Sequence, residues 1–124
     1  MILLDTSAVI ELLEGGEFGK KVQGYIEDDV AGVSTITINE FLVGAGEKQK
    51  QTFQEFLKSS EILSFDELAS YKSVGIEKSL SRKGEMIGKL DIFIAAICLV
   101  QDVPLITTDK DFKNVDGLKV FIIA

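Results

Sequence analysis

Acidic side chains stand beside apolar runs at several places in this sequence, and it contains no histidine. Any chemistry therefore falls to carboxylates, hydroxyls and a metal they could hold. In Ile2-Leu3-Leu4-Asp5-Thr6-Ser7, three apolar residues run into a carboxylate and two hydroxyls. In Leu105-Ile106-Thr107-Thr108-Asp109-Lys110-Asp111-Phe112, a β-rich run again ends in hydroxyls and acids. Glu40 follows Thr37-Ile38-Asn39 and precedes Phe41, and Asp91 lies between Leu90 and Ile92-Phe93-Ile94. A charge among such neighbours is costly unless something compensates it.

Each acid also has an ordinary structural explanation. Asp5 could cap a helix, although Thr6 or Ser7 could do so equally well. Thr37-x-x-Glu40 has the form of a capping box. Asp91 could cap a helix or face its positive end. One of Asp109 and Asp111 is expected to make only an Asx-turn, and Asp109 is the nearer to the strand end.

The elements that must position these acids follow from hydrophobic periodicity. Strands are predicted at Ile2–Asp5, Val30–Thr35, Glu61–Phe65, Val103–Thr107 and Leu118–Ile123. Between them come a helix over Ser7–Glu14, one carrying Phe18, Val22, Tyr25 and Ile26, a third carrying Ile38, Phe41, Leu42 and Ala45, and a fourth marked by Phe53, Phe56 and Leu57. Asp66 starts a long helix carrying Leu68, Ala69, Ile76 and Leu80. Arg82–Lys89 reads as a loop, Leu90–Gln101 as a helix apolar nearly all round, and Asp109–Val115 as a loop or short turn. Strands separated by helices pair in parallel through right-handed crossovers. The expected fold class is α/β, a three-layer sandwich around a central, mainly parallel sheet of about five strands. Residues 1–124 are expected to form one domain, with 46% hydrophobic and 27% charged residues.

In such a sheet Asp5 and Asp109 stand at carboxyl strand ends, where open α/β sheets bind ligands. Glu40 starts from the same edge, since its helix follows the second strand. Acids gathered this way require cations. Oxygen donors without histidine or cysteine ligands suit Mg²⁺ or Mn²⁺, which leave positions open for phosphate oxygens. The fitting reaction is hydrolysis of a phosphodiester, with the metal acidifying the attacking water. The net charge of −7 argues against a nucleic-acid partner unless metal inverts the field of the acids. The one cysteine, Cys98, reads as a small core residue. Apolar runs fall short of the ~20 residues that span a bilayer, and no basic-then-apolar leader opens the chain. The fold is expected to start at Met1, and the protein to be cytoplasmic.

Leu4-Asp5-Thr6-Ser7, Thr37-Ile38-Asn39-Glu40-Phe41, Ile87-Gly88-Lys89-Leu90-Asp91-Ile92-Phe93-Ile94-Ala95-Ala96 and Leu105–Phe112 follow one another in the order seen in PIN domains. The chain resembles that family over nearly its whole length, and within it the VapC-type toxins of toxin–antitoxin pairs. The resemblance implies a metal-dependent ribonuclease. It places Asp5, Glu40, Asp91 and Asp109 at the acidic metal-site positions and Thr6, Ser7 and Thr107 at hydroxyl positions beside them. Asp111 could share or replace the role of Asp109. The resemblance also implies a homodimer and a small antitoxin whose tail covers the pocket.

Cleavage by metal-activated water should leave a 5′-phosphate. Arg82, Lys83, Lys89, Lys110 and Lys113 are candidates for holding the RNA backbone, against the plainer reading of solvated lysines. Phe53, Phe56 and Leu57 offer apolar area for a dimer surface, unless they simply cover the core. The alternatives are a PIN-type RNA-processing nuclease without an antitoxin and a noncatalytic α/β interaction module. A metal-dependent phosphatase lacks its D-x-D pair after the first strand.

Overall fold

A computed structural model describes residues 1–123. The chain order is β1 (Ile2–Leu4), α1 (Thr6–Glu14), α2 (Glu17–Ile26), β2 (Ala31–Ser34), α3 (Thr35–Gly44), α4 (Glu47–Leu57), β3 (Glu61–Leu63), α5 (Glu67–Lys83), α6 (Lys89–Gln101), β4 (Leu105–Thr107) and β5 (Val120–Ile122). A 3₁₀ turn over Lys110–Asn114 joins β4 to β5. All four strand pairings are parallel, in the order β3-β2-β1-β4-β5.

The period-2 alternation of the strands builds two cores, one on each sheet face. Leu3 and Leu105 join the side chains of α5 and α6, including Ile76, Leu80, Ile92 and Ile97. Ile2, Leu4 and Ile106 point the other way, onto Val9, Val22 and Phe53. The three-layer sandwich expected from the sequence is thus present. Burial of each such side chain contributes about 1.5–3 kcal/mol.

Local chemistry sets the element ends. Gly15 closes α1 in the left-handed region at φ 75°. Gly19 lets α2 cross α1 closely, because a Cβ there would collide with the Glu11 carbonyl oxygen. Asp66 caps α5 by accepting from Ala69 N at 2.9 Å. That helix runs through Arg82 and Lys83, and Lys89 already belongs to α6, so the expected loop shrinks to residues 84–88.

The structure places two apolar groups. Phe53 is fully buried, and the partly buried Phe56 and Leu57 pack against the same core, so these residues cover it. Leu68 does not reach the core and is 64% exposed, close to the exposed Tyr71 and Val74 on α5. The two acceptors of burial on α5 near its start are Ala69 and Ser73 instead.

The strand order decides where a site can form. The chain lays β2 and β3 on one side of β1, then returns to lay β4 and β5 on the other. The direction of winding reverses between β1 and β4, the crevice where doubly wound sheets bind ligands. Asp5 leaves the central strand there, and Thr107 ends its neighbour.

Candidate active site

Asp5 is 4% exposed and serves two purposes at once. Its Oδ1 accepts from Ala8 N at 2.9 Å, which caps α1, and from Ser7 Oγ at 2.6 Å. Its Oδ2 accepts from Thr107 Oγ1 at 2.5 Å. Its backbone N–H donates to Ile106 O at 3.1 Å, so both main chain and side chain tie it to β4. Burial pushes the Asp5 carboxyl above the usual range, the hydroxyl and N–H donors pull it back, and Asp109 pushes it up again.

The two hydroxyls that hold Asp5 also hold the loop after β4. Ser7 Oγ accepts from Thr108 N at 3.0 Å, and Thr107 Oγ1 accepts from Asp109 N at 2.9 Å. Each donates its one proton to a carboxylate and accepts from an amide, so each hydroxyl joins Asp5 to the loop after β4.

Glu40 is not part of a capping box. The N-cap of α3 is Ser34, whose Oγ accepts from Thr37 N at 3.1 Å. That frees the Glu40 side chain, whose Oε1 accepts from Thr6 Oγ1 at 2.7 Å. Thr6 Oγ1 also lies 3.2 Å from Thr37 Oγ1, and Ser34 Oγ stands 3.4 Å beyond. Ser34 and Thr37 thus support the site, a role that the sequence reading missed. The available signal was a serine closing a buried strand just ahead of Glu40.

Asp91 stands in the first turn of α6, whose N-cap is Gly88 without a side-chain bond. The carboxylate turns back over the helix start, where a Cβ on Gly88 would meet its Oδ2 at 3.5 Å. Burial raises its pKa to about 6, and Asp109, Glu40, Asp5 and Asp111 add to the rise in that order. The predicted acids therefore share one field, with Asp109 acting on Asp91 more strongly than Asp111 does. Asp109 Oδ1 accepts from Asp111 N at 2.9 Å, so the Asx-turn belongs to Asp109. Asp111 is exposed.

None of the ion pairs among the described residues involves these five acids. An uncompensated carboxylate cluster at a sheet crevice fits a hard divalent cation. Among the described residues no three acidic or cysteine side chains converge closely enough to enclose an ion alone.

The candidate RNA-contacting cations divide into two groups. Lys83 Nζ donates to Asn114 O at 2.6 Å and pairs with Asp116 at 3.1 Å. Lys89 pairs with Glu77 at 2.6 Å. Arg82, Lys110 and Lys113 are exposed and belong to no ion pair among the described residues. A groove of about 460 Å³ opens beside Thr6 and Glu40, walled by Ile10, Leu13 and Phe41 with Lys48 at its rim. No described helix is long and apolar enough to cross a membrane.

The PIN domain family profile matches residues 2–118. The ribonuclease VapC1 of Methanocaldococcus jannaschii is 31% identical over 121 residues, covering 97% of this chain and 82% of that protein. The fold matches that of VapBC2 from Rickettsia felis, solved with a fragment of promoter DNA, at a TM-score of 0.86, with 21% identity and 98% of each chain covered. VapBC-5 from Mycobacterium tuberculosis, a member of the VapBC family of toxin–antitoxin systems, superposes at 0.74 with 26% identity, covering 98% of this chain and 96% of that one.

Proposed function

From the premise that this chain belongs to the PIN domain family, we propose that it is an endoribonuclease, the toxin of a toxin–antitoxin pair, acting on RNA in the cytoplasm with Mg²⁺ or Mn²⁺. The observation that carries this reading is the grouping of Asp5, Glu40, Asp91 and Asp109 about the β1–β4 crevice, where burial first and then the fields of the other acids raise Asp91 to about 6, and where no ion pair among the described residues involves any of them.

Asp5, Glu40, Asp91 and Asp109 would hold the cation, with Asp111 at the margin. When bound, the cation supplies positive charge that acidifies water and stabilises the negative charge building on the phosphoryl group. The chain's own groups fix the geometry. Ser7 and Thr107 immobilise Asp5, and Thr6 orients Glu40. Arg82, Lys110 and Lys113, in no ion pair among the described residues, carry positive charge suited to the phosphate backbone. No histidine base is needed for this chemistry, in keeping with its absence from the sequence.

The antitoxin partner rests on the likeness to VapBC-5. Its tail would occupy the groove beside Thr6 and Glu40, whose apolar wall and acidic end suit a segment with apolar and basic side chains. A homodimer would draw on Leu68, Tyr71 and Val74, the exposed apolar residues of α5.

The test is cleavage of a mixed RNA pool with and without Mn²⁺, comparing wild type with Asp91→Asn and analysing the new ends. Metal-dependent cleavage leaving 5′-phosphates, lost in the variant, is expected. Metal-independent cleavage leaving 2′,3′-cyclic phosphates would overturn the reading.

A further inference from the structure

The segment between β4 and β5 carries two of the acids, and it is held at both ends. At its start, Ser7 and Thr107 accept from the N–H groups of Thr108 and Asp109. Its middle is anchored by Phe112 and Val115, both buried in the α5–α6 core. Its far end is held from α5, a helix that supplies none of the acids. Lys83 Nζ donates to the Asn114 carbonyl oxygen at 2.6 Å and to Asp116 Oδ1 at 3.1 Å. Ser79 Oγ, one turn earlier on α5, donates to Asp116 Oδ2 at 3.3 Å. Lys83 also stands 3.6 Å from Glu85, in the loop that leads to α6 and Asp91.

We propose that Lys83 is a positioning residue: it clamps the Asn114–Asp116 end of the β4–β5 segment onto α5, and so fixes Asp109 in its place relative to Asp91. The inference rests on the reading of Asp109 and Asp91 as ligands of a divalent cation. It assigns Lys83 a different task from that of an RNA-contacting cation, although the two fall together on the sequence with Arg82.

Three features favour the clamp. The Lys83 side chain is only 33% exposed, against 78% for its partner Asp116 and 74% for both members of the Lys58–Glu55 pair. It reaches a main-chain carbonyl, which a mobile surface ion pair does not need. Its partners lie on a segment about 30 positions away, so the contact joins two elements that no local hydrogen bond connects. An outer contact of this kind sets the geometry of the groups that hold a metal.

The test compares wild type, Lys83→Met, Lys83→Arg, Asp116→Ala and Asp109→Asn by three measurements. The first is hydrogen exchange of the metal-free protein, the second Mn²⁺ binding followed by the loss of free-ion electron resonance, and the third kcat and KM on an RNA pool. Lys83→Met should speed exchange of amides 109–118 while α6 and β1 keep their protection. It should weaken Mn²⁺ binding and lower kcat about 3- to 10-fold, with KM unchanged. Lys83→Arg should restore most of both, and Asp116→Ala should repeat the effect in weaker form. Should Lys83→Met fail to fold, Asp116→Ala decides.

Unchanged exchange and Mn²⁺ binding in the folded variants would overturn the proposal. So would a raised KM with a flattened salt dependence and an unchanged kcat, which would make Lys83 an RNA contact. Wild-type Mn²⁺ binding and kcat in Asp109→Asn would instead remove the underlying site reading, and the positioning role with it.

Discussion

Asp5 and Asp109 share one hydroxyl: Thr107 Oγ1 donates to the carboxylate of the first at 2.5 Å and accepts from the backbone N–H of the second at 2.9 Å. The side chain of Thr107 is fully buried, so neither bond can be replaced by bulk water. One atom thereby fixes the spacing of two acids that come from the first and the fourth strand.

Thr107→Val keeps the shape and removes the hydroxyl. It leaves a buried carboxylate oxygen and an amide without a partner, which should destabilise the protein by about 2–3 kcal/mol. Mn²⁺ affinity should fall about 10-fold or more, because Asp5 and Asp109 lose their common support. Thr107→Ser should stay close to wild type in both thermal melts and metal titration. Equal loss in the serine variant would show that the methyl group, rather than the hydroxyl, matters.

Asp91 contributes to the pH dependence of the metal-free protein. Its folded pKa of about 6 lies above the ordinary value of 3.8, so the folded state holds its proton more tightly than the unfolded state. The stabilisation this gives is complete below about pH 4 and is lost as pH rises through 6. With chelator present, Asp91→Asn should therefore melt higher than wild type at pH 7. Discounted for the half-exposed carboxyl, the gain is about 1 kcal/mol, or about 3–5 °C. The difference should vanish near pH 4, and saturating Mn²⁺ should reverse its sign at pH 7, because only wild type gains fully from binding.

Asp102 ends α6 in the left-handed region at φ 54°, the one non-glycine residue with positive φ among those described. A side chain there strains the backbone, and a negative charge opposes the helix dipole. Asp102→Gly should stabilise the fold by about 1 kcal/mol in denaturant titration. Cleavage should not change, because Asp91 lies at the other end of the same helix.

Cys98 is fully buried, and burial pushes its thiol far above the ordinary thiol range. Labelling by a thiol reagent should be slow in the native protein and should track unfolding as denaturant is added. Fast labelling of the native protein would mean that α6 opens locally.

Most elements were legible in the sequence because their signals are local. The i, i+3 and i+4 repeats of Ile38, Phe41 and Leu42 and the three apolar residues before Asp5 each describe a single helix or strand. The sequence left readings open where a local pattern had a distant competitor. Thr37-x-x-Glu40 had the form of a capping box, but Ser34 took the cap and Thr6 took Glu40. Phe53, Phe56 and Leu57 had the look of a spare face until Phe41 stacked on Phe53 at 4.2 Å. Lys83 and Lys89 stand beside Arg82 as a basic run in the sequence, and in the fold Lys83 reaches Asn114 O while Lys89 pairs with Glu77.

The sequence by itself determined which acids follow buried runs, that the chain lacks histidine, and that strands alternate with helices. These properties depend on residue type and on neighbours within about two helical turns. The tertiary structure alone decided that β1 lies between β2 and β4. That order brings Thr6 to Glu40 and Thr107 to Asp5, and it lets Asp109 rather than Asp111 act most strongly on Asp91. The physical reason is that pairing of strands and packing of two cores fix distances between residues far apart in the chain, and the field at each carboxylate depends on those distances.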